Sequence, residues 1–181
     1  YTFYNDSLTL MLNLDNVSAL GENNTTFIDV SKYGNNGTCA GTACPNWTSS
    51  GVYGGAFVFD GVNDIINISD STSLKPNSTI TVAPWFKTSQ VSDWDGIVDK
   101  TNNGGTLTDG YALRITVSGN LHFTVKTTSG PGDYTLPQNY SNGTWYHFVG
   151  TYNSATSTVK MYVNGVLMQT NTSGSGSITQ A

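Results

Sequence analysis

Strict alternation of apolar and polar side chains over short segments limits the folds open to this chain more than any other feature. Between residues 110 and 117 every second residue is apolar, which places Tyr111, Leu113, Ile115 and Val117 on one face of an extended strand. Turn residues 118–120 lead into a second alternating segment at 121–125, so the pair is predicted to form a β-hairpin. No helical pattern of useful length competes with this interpretation.

Similar segments recur about every 8–12 residues between Gly, Asn, Asp and Ser, which is typical of a β-sandwich. The predicted strands are 7–14, 55–60, 65–68, 80–87, 145–152, 158–163 and 166–169, with Asn164-Gly165 as a type I′ turn. Residues 15–46 are expected to form a long ordered loop, and residues 170–181 a flexible or linking tail. The chain, residues 1–181, is therefore predicted to be a single all-β domain, an antiparallel two-sheet sandwich.

Charge and hydropathy argue against two classes of partner. The formal net charge is −5, and the seven Lys and Arg residues are scattered singly, so no basic stripe is available to neutralise a nucleic-acid backbone. No apolar run approaches the ~20 residues that cross a bilayer, and the first residues lack a basic and apolar leader. We expect neither nucleic-acid binding nor a membrane span.

The two cysteines indicate the compartment. Cys39 and Cys44 flank a short spacer of small residues that would let them close a tight disulfide. A reduced pair or half of a zinc site is the alternative, although no further Cys or nearby His completes four ligands. A disulfide implies an oxidising, extracellular environment.

Asn-x-Ser/Thr triplets give a second signal for the cell exterior. A chain rich in Asn, Ser and Thr contains some by chance, but the number here is roughly double that expectation. The candidate glycosylation sites are Asn5, Asn16, Asn23, Asn24, Asn36, Asn46, Asn67, Asn77, Asn139, Asn142 and Asn171. We predict a heavily glycosylated protein.

Seven short segments, taken in order, resemble the laminin G-like, concanavalin A-like jelly-roll modules of microbial surface proteins. They span nearly the whole chain and are residues 29–38, 53–64, 71–74, 85–87, 96–100, 145–147 and 160–166. The resemblance implies two antiparallel sheets, one of them concave, and a rim of loops where calcium, sugars or partner proteins are often bound.

Two departures from the family pattern carry expectations. Pro84 stands where the family has a small residue in mid-strand, and because proline cannot donate a ladder hydrogen bond, that strand is expected to be at an edge or bulged. The sequence also stops at Ala181, before the family's last one or two strands. We expect that either the chain continues or another subunit donates a strand to the unpaired edge.

Calcium is the expected cofactor, since hard cations bind carboxylate, amide and carbonyl oxygens on loops. Asp29 and Asn36 fit the family's Asp-x-Ser-Gly-x-Gly-Asn loop; the alternative is a loop that these side chains stabilise without metal. Asp109 occupies a position where related modules place a calcium ligand, with a simple Asp109-Gly110 turn as the alternative. Asp60 and Asp64 fit a turn better than a metal site.

Sugar binding needs an exposed aromatic ring with polar groups nearby. Trp94 and Tyr134 are the candidates, with partial packing on a neighbouring loop as the alternative for both. Trp85 and Trp145 are expected in the core, Trp47 over the cysteine loop, and His122 and His147 on the surface.

The chain is not expected to be an enzyme, because Glu22 is its only glutamate and sandwich glycosidases use a carboxylate pair. The leading hypothesis is a noncatalytic extracellular module that binds glycans or surface proteins. The alternative is a structural subunit of a filament or surface coat, assembled by strand exchange between subunits. A prokaryotic cell surface, with an archaeal one as an option, fits both.

Overall fold

The computed structural model describes residues 7–88, 94–102, 108–136, 141–172 and 174–181. The chain divides into two compact units, Tyr1–Leu74 and Lys75–Ala181. The described strands are β1 (Thr26–Phe27), β2 (Gly37–Thr38), β3 (Asn46–Thr48), β4 (Ala56–Val58), β5 (Asn67–Ile68), β6 (Thr79–Val82), β7 (Trp85–Phe86), β8 (Asp95–Lys100), β9 (Tyr111–Ile115), β10 (Leu121–Thr127), β11 (Gly130–Leu136), β12 (Tyr146–Asn153), β13 (Thr158–Val163) and β14 (Val166–Asn171). Three 3-10 turns cover Ser18–Leu20, Gly41–Ala43 and Thr72–Leu74.

The first unit is built from very short strands. A three-stranded sheet has the order β1-β2-β5, and β3 pairs with β4. The segment 15–46, predicted as one long ordered loop, is ordered but also contains the short strands β1 and β2 and two 3-10 turns. The strand predicted at 7–14 is wrong: Leu12 forms a single bridge with Asp29, and Leu14 and Asn16 have positive φ values of 63° and 57°, which end an extended segment.

The second unit is an antiparallel pair of sheets. One sheet has four strands in the order β11-β10-β9-β8, and the other has the order β14-β13-β12-β6, with β7 also paired to β12. The predicted hairpin is confirmed, because Tyr111 faces Val125 and Ile115 faces Leu121 across β9 and β10. All-β architecture is therefore observed as predicted.

Alternating residues of both sheets form one apolar core. Its buried members are Val82, Phe86, Tyr111, Leu113, Ile115, Leu121, Phe123, Val125, Tyr134, Leu136, Phe148, Tyr152, Val159, Met161, Val163 and Ile178. A β-carbon added to Gly150 of β12 would lie 2.4 Å from the ring of Phe123 on β10, so the absence of a side chain at Gly150 lets the two sheets close. Val117 does not join this core: it lies in the turn after β9 and is 58% exposed.

Turns and irregularities follow the sequence in most places. Asn164 and Gly165 both have positive φ, 49° and 80°, as a type I′ turn requires. Pro84 interrupts the edge segment between β6 and β7, as expected, and its carbonyl still accepts the Phe148 N–H. Residues Gly130–Leu136, for which no strand was predicted, form strand β11.

The described part of the C-terminal tail is held in place, so the prediction of a flexible tail is wrong for residues 174–181. Ile178 is 3% exposed, and its N–H donates to the Asn77 carbonyl. The Thr128 N–H donates to the Ser177 carbonyl, and the Thr179 N–H donates to the Lys126 carbonyl. One apolar side chain and a short ladder therefore anchor an otherwise polar, glycine-rich segment.

No helix in the described part of the chain has the length and apolarity that crossing a bilayer requires.

Candidate functional site

The disulfide prediction is confirmed. Cys39 and Cys44 are bonded, with Cα atoms 5.1 Å apart, and they enclose the 3-10 turn Gly41–Ala43. A closed thiol pair leaves no thiolate for zinc at this position. The bond fits an oxidising compartment.

The Asp29 loop is organised by hydrogen bonds to its carboxylate. Both oxygens accept: Oδ1 from the N–H groups of Met11 and Ser31 (2.9 Å each), and Oδ2 from the Ser31 hydroxyl (2.7 Å) and the Asn35 N–H (2.8 Å). Asn36 lies in the same loop, where its Oδ1 accepts the Asp29 N–H at 2.9 Å. The two predicted ligands are therefore together, and turn stabilisation accounts for both without a metal.

Burial and hydrogen bonding act on Asp29 in opposite directions. Desolvation of this 5% exposed residue raises its pKa, but the donors from Met11, Ser31 and Asn35 outweigh that effect and lower the pKa below the ordinary value of 3.8. The carboxylate is ionised at neutral pH, as either interpretation of the loop requires.

The other predicted aspartates also accept local donors. Asp109 accepts the N–H and the side-chain amide of Asn102, at 3.1 and 2.6 Å. Asp60 Oδ1 accepts the N–H groups of Val62 and Asn63, and Asp64 Oδ2 accepts the Asp60 N–H, which closes a turn as expected. Among the described residues, no three His, Cys, Asp or Glu side chains form a cluster able to hold a metal ion.

A polar network on the four-stranded sheet was not predicted from the sequence. Arg114, the only arginine of the chain, donates Nε–H to Asp99 Oδ2 at 2.7 Å and Nη2–H to Thr101 Oγ1 at 3.1 Å, while the Thr101 hydroxyl donates to Asp99 Oδ1 at 2.7 Å. The sequence feature that could have predicted this network is Arg114 itself, a charged residue at an outward position of an otherwise apolar strand. The network holds the half-exposed Asp99 carboxylate in one orientation.

Trp94 adjoins this polar face. It is 48% exposed, and its ring meets His122 edge to face with centroids 5.1 Å apart. His122 faces Arg114 across the β9–β10 ladder and is 7% exposed, so the prediction that it is a surface residue is wrong. Asp95 and Asn102, at either end of β8, are exposed. An indole ring and several fixed polar groups therefore occur along one edge strand.

Tyr134 is not a binding platform. It lies on β11, is 4% exposed and belongs to the apolar core, because its position in the strand alternation points it inward. Its pairing partner Phe123 is in the same core.

Two other tryptophan predictions are corrected, and the prediction that Trp47 lies over the cysteine loop stays a prediction. Trp85 is 39% exposed and stacks on His147 at 5.0 Å, so it is not a core residue. Trp145 is half-buried, with the Lys87 ammonium 5.1 Å from its ring centroid. Trp47 contacts the backbone at Gly55, where an added β-carbon would lie 2.4 Å from its Nε1.

Glu22, the only glutamate, is 4% exposed and accepts the Val17 N–H at 2.7 Å. This contact closes the 3-10 turn Ser18–Leu20, which is a structural role.

Most predicted glycosylation sites are accessible. Of the described asparagines, Asn16 and Asn171 are half-buried, and Asn23, Asn24, Asn36, Asn46, Asn67, Asn77 and Asn142 are exposed. Asn5 and Asn139 lie outside the described residues. Asn36 uses only its oxygen in the Asp29 loop, so the nitrogen that would carry a glycan is not required there.

The comparison with protein families decides the relationship. The laminin G model described as the concanavalin A-like lectin/glucanases superfamily matches residues 60–181. The chain belongs to this superfamily. Its second unit, with two antiparallel sheets over a shared core, lies inside the matched range, as the sequence resemblance implied.

A solved structure supports the fold. The chain is similar to residues 221–444 of an S-layer domain-containing protein from Clostridium thermocellum ATCC 27405, with 19% identity and a TM-score of 0.54. The similarity covers 92% of this chain and 73% of that one. No curated protein matches at a significant level.

Proposed function

We propose that the chain is a noncatalytic, extracellular module of a cell-surface protein and that it binds glycans at the β8 edge. Three findings support this: membership of the lectin/glucanase superfamily, a fold similar to that of an S-layer domain-containing protein, and a disulfide. The exposed sequon asparagines agree with a glycosylated exterior.

Trp94 is the observation that carries the proposal. Its ring combines 48% exposure with a fixed orientation against His122, and a sugar ring stacks best on an aromatic face that is both accessible and rigid. The Asp99 carboxylate on β8 and the Asn102 amide that follows this strand are polar groups of the kind that form hydrogen bonds with sugar hydroxyls.

The test is glycan-array binding followed by calorimetry with the best-bound oligosaccharide. Trp94→Ala is expected to weaken binding by about tenfold or more, the usual effect of truncating an aromatic anchor. Trp47→Ala is the matched control, because Trp47 is similarly exposed (41%) but lies in the first unit. Equal affinity of the two variants would reject the site.

The second candidate function is a structural subunit of a surface coat whose copies pair through β14. This strand ends the order β14-β13-β12-β6, and Val166, Leu167 and Met168 are 61%, 49% and 44% exposed. An exposed apolar edge strand templates pairing with another chain. Met168→Lys would then abolish assembly seen by electron microscopy while preserving the melting temperature; unchanged assembly would reject it.

Calcium at Asp29 and Asn36, or at Asp109, is a separate proposal. A bound ion stabilises the folded state by mass action, so removing calcium with a chelator would lower the melting temperature. Asp29→Asn would remove this response if the first site binds the ion. A melting temperature independent of calcium would exclude both sites.

A further inference from the structure

The two compact units differ in charge in a way that the whole-chain value of −5 hides. The first unit carries seven acidic residues and one lysine, a formal charge of −6, while the second carries five acidic and six basic residues, a formal charge of +1. No acidic residue follows Asp133, and β6, β7, β12, β13 and β14 contain none. The five strands therefore form a neutral to positive surface in an acidic protein.

Part of the outward side of this sheet is apolar, beside a part that carries Thr and Asn residues. Phe148, Gly150 and Tyr152 of β12 are buried, so the residues between them face away from the core. The register places Trp85 beside His147, Val149 beside Tyr162, and Tyr162 beside Leu167. Trp85 and Leu167 are 39% and 49% exposed.

Two lysines lie with these apolar groups. Lys160 pairs with Thr151 on the outward side, and Lys87, which follows β7, lies with its ammonium over the Trp145 ring. We call Trp85, Lys87, Val149, Lys160, Tyr162 and Leu167 the outer sheet face.

The first unit exposes an apolar loop of the opposite charge. In residues 58–65, which we call the acidic loop, the exposed side chains are Val58 (55%), Phe59 (49%), Val62 (86%) and Ile65 (57%). Asp60 and Asp64 lie among them, and the hydrogen bonds to Asp60 fix the turn that presents Val62. Four large apolar side chains this accessible in one short loop mark a contact surface.

Neither surface carries a candidate glycan. No sequon asparagine falls within residues 58–65 or on β6, β7, β12 or β13, and the one on β14, Asn171, pairs with the core residue Val159 and therefore does not share the side of the sheet that carries Leu167. A glycan on either surface would block close contact, so their absence fits an interface.

We propose that the acidic loop of one copy docks on the outer sheet face of a second copy. Both surfaces carry exposed apolar side chains, and their charges are complementary, so the contact would bury apolar area and steer the encounter electrostatically. Because the two surfaces differ, the contact is heterologous and repeats from copy to copy, giving open chains unless the geometry closes a ring. The contact is independent of glycan binding at Trp94, and it joins faces instead of exchanging strands.

The first test is sedimentation velocity of the full chain over a range of concentrations. At about 0.05 M salt, the weight-average mass is expected to rise with protein concentration. At about 0.5 M salt it is expected to be lower at the same concentration, because salt screens the attraction between the lysines and the aspartates. A monomer at every concentration in low salt would overturn the proposal.

Variants that change either the acidic loop or the outer sheet face test whether these two surfaces form the contact. Val62→Lys disables the loop without removing Asp60 or Asp64, and Lys87→Glu disables the sheet face; each is expected to weaken association by about tenfold or more. Val117→Lys and Lys32→Gln are the controls, since Val117 is a similarly exposed valine and Lys32 Nζ also lies 5.1 Å from an aromatic centroid. The melting temperature of each variant verifies folding, and association as strong as in the original chain would contradict the proposal.

Mixing distinguishes this contact from strand exchange. Val62→Lys retains an intact sheet face and Lys87→Glu an intact loop, so an equimolar mixture is expected to form a dimer that cannot extend, while each variant alone remains monomeric. A mixture without dimers would overturn the proposal. Glycan binding by the Trp94 surface is measured on the same variants and is expected to be unchanged, so the failure of one proposal leaves the other testable.

Discussion

The two compact units are stabilised by different kinds of interaction. Among the described residues, all sixteen buried members of the apolar core belong to the second unit, where strands reach eight residues. The strands of the first unit have two or three residues, and its loops are held by the Asp29 carboxylate and the Cys39–Cys44 bond. The first unit therefore depends mainly on specific polar contacts beside a small apolar cluster at Phe27 and Phe57, and the second on apolar burial, which tolerates variation as long as volume is kept.

The largest expected effect is in the second unit. Phe123→Ala removes a fully buried ring between the sheets and is expected to lower the free energy of unfolding by about 3–5 kcal/mol. Urea unfolding followed by tryptophan fluorescence measures it. Val117→Ala, at an exposed position, is the control and should change stability by less than about 0.5 kcal/mol.

Gly150→Ala sharpens the same test. The new methyl group would overlap the Phe123 ring, and overpacking of this kind lowers stability by about 1–3 kcal/mol. The change should be milder in a Phe123→Ala background, because the atoms that clash are gone. Additive effects would show that the two sheets do not meet at this point.

In the first unit, Asp29→Ala is expected to lower the free energy of unfolding by about 2–3 kcal/mol, the contribution of hydrogen bonds to a charged acceptor. Because the pKa of Asp29 is below 3.8 in the folded chain, its stabilisation is present above pH 3.8 and is lost as pH falls through the folded value. The difference between the original chain and the variant should therefore shrink in acid. A constant difference from neutral pH to strong acid would contradict this account.

The second unit could be predicted from the sequence better than the first, because apolar burial leaves a regular pattern in the sequence and specific polar contacts do not. Alternation is a direct consequence of burying one face, so β9, β10, β12 and β13 were predictable from period two alone. In the first unit, structure depends on which backbone donor a carboxylate accepts. The hydrogen bond from Met11 to Asp29, 18 residues away, has no local pattern, and the strand predicted at 7–14 failed there.

Prediction of the candidate site from the sequence is limited in the same way, because strand pairing decides which residues are exposed. Trp94 was predictable because it follows a polar stretch, but Tyr134 has a similar context and lies in the core. The deciding fact is the pairing of β10 with β11, which sets the phase of Tyr134 and is invisible in a Gly-Pro-Gly segment. The ion pair of Arg114 with Asp99 likewise depends on the β8–β9 register, which shifts between Gly96 and Val98.

The disulfide provides a smaller test of the first unit. Replacing Cys39 and Cys44 with serine opens a loop of about six residues, for which the chain-entropy estimate is about 2 kcal/mol. Amide hydrogen exchange should show reduced protection in β1 and β2 and a smaller change in β9 and β10. An equal loss in both units would show that they unfold together and would remove the contrast between them.

The last effect is confined to high pH and comes from a titratable group inside the apolar core. Burial raises the pKa of Tyr111 to about 12 from the ordinary value of 10.0. Between these values the unfolded chain releases the phenol proton and the folded chain retains it, so the free energy of unfolding falls with rising pH by up to about 1.4 kcal/mol per pH unit. Tyr111→Phe removes this contribution, whereas Tyr152, whose pKa is also raised by desolvation and by Tyr134, leaves a residual slope. Phenolate absorbance measures the tyrosine pKa, and urea unfolding across this pH range measures the free energy of unfolding. If the original chain and Tyr111→Phe show the same slope with pH, Tyr111 is hydrated and the core is open at the start of β9.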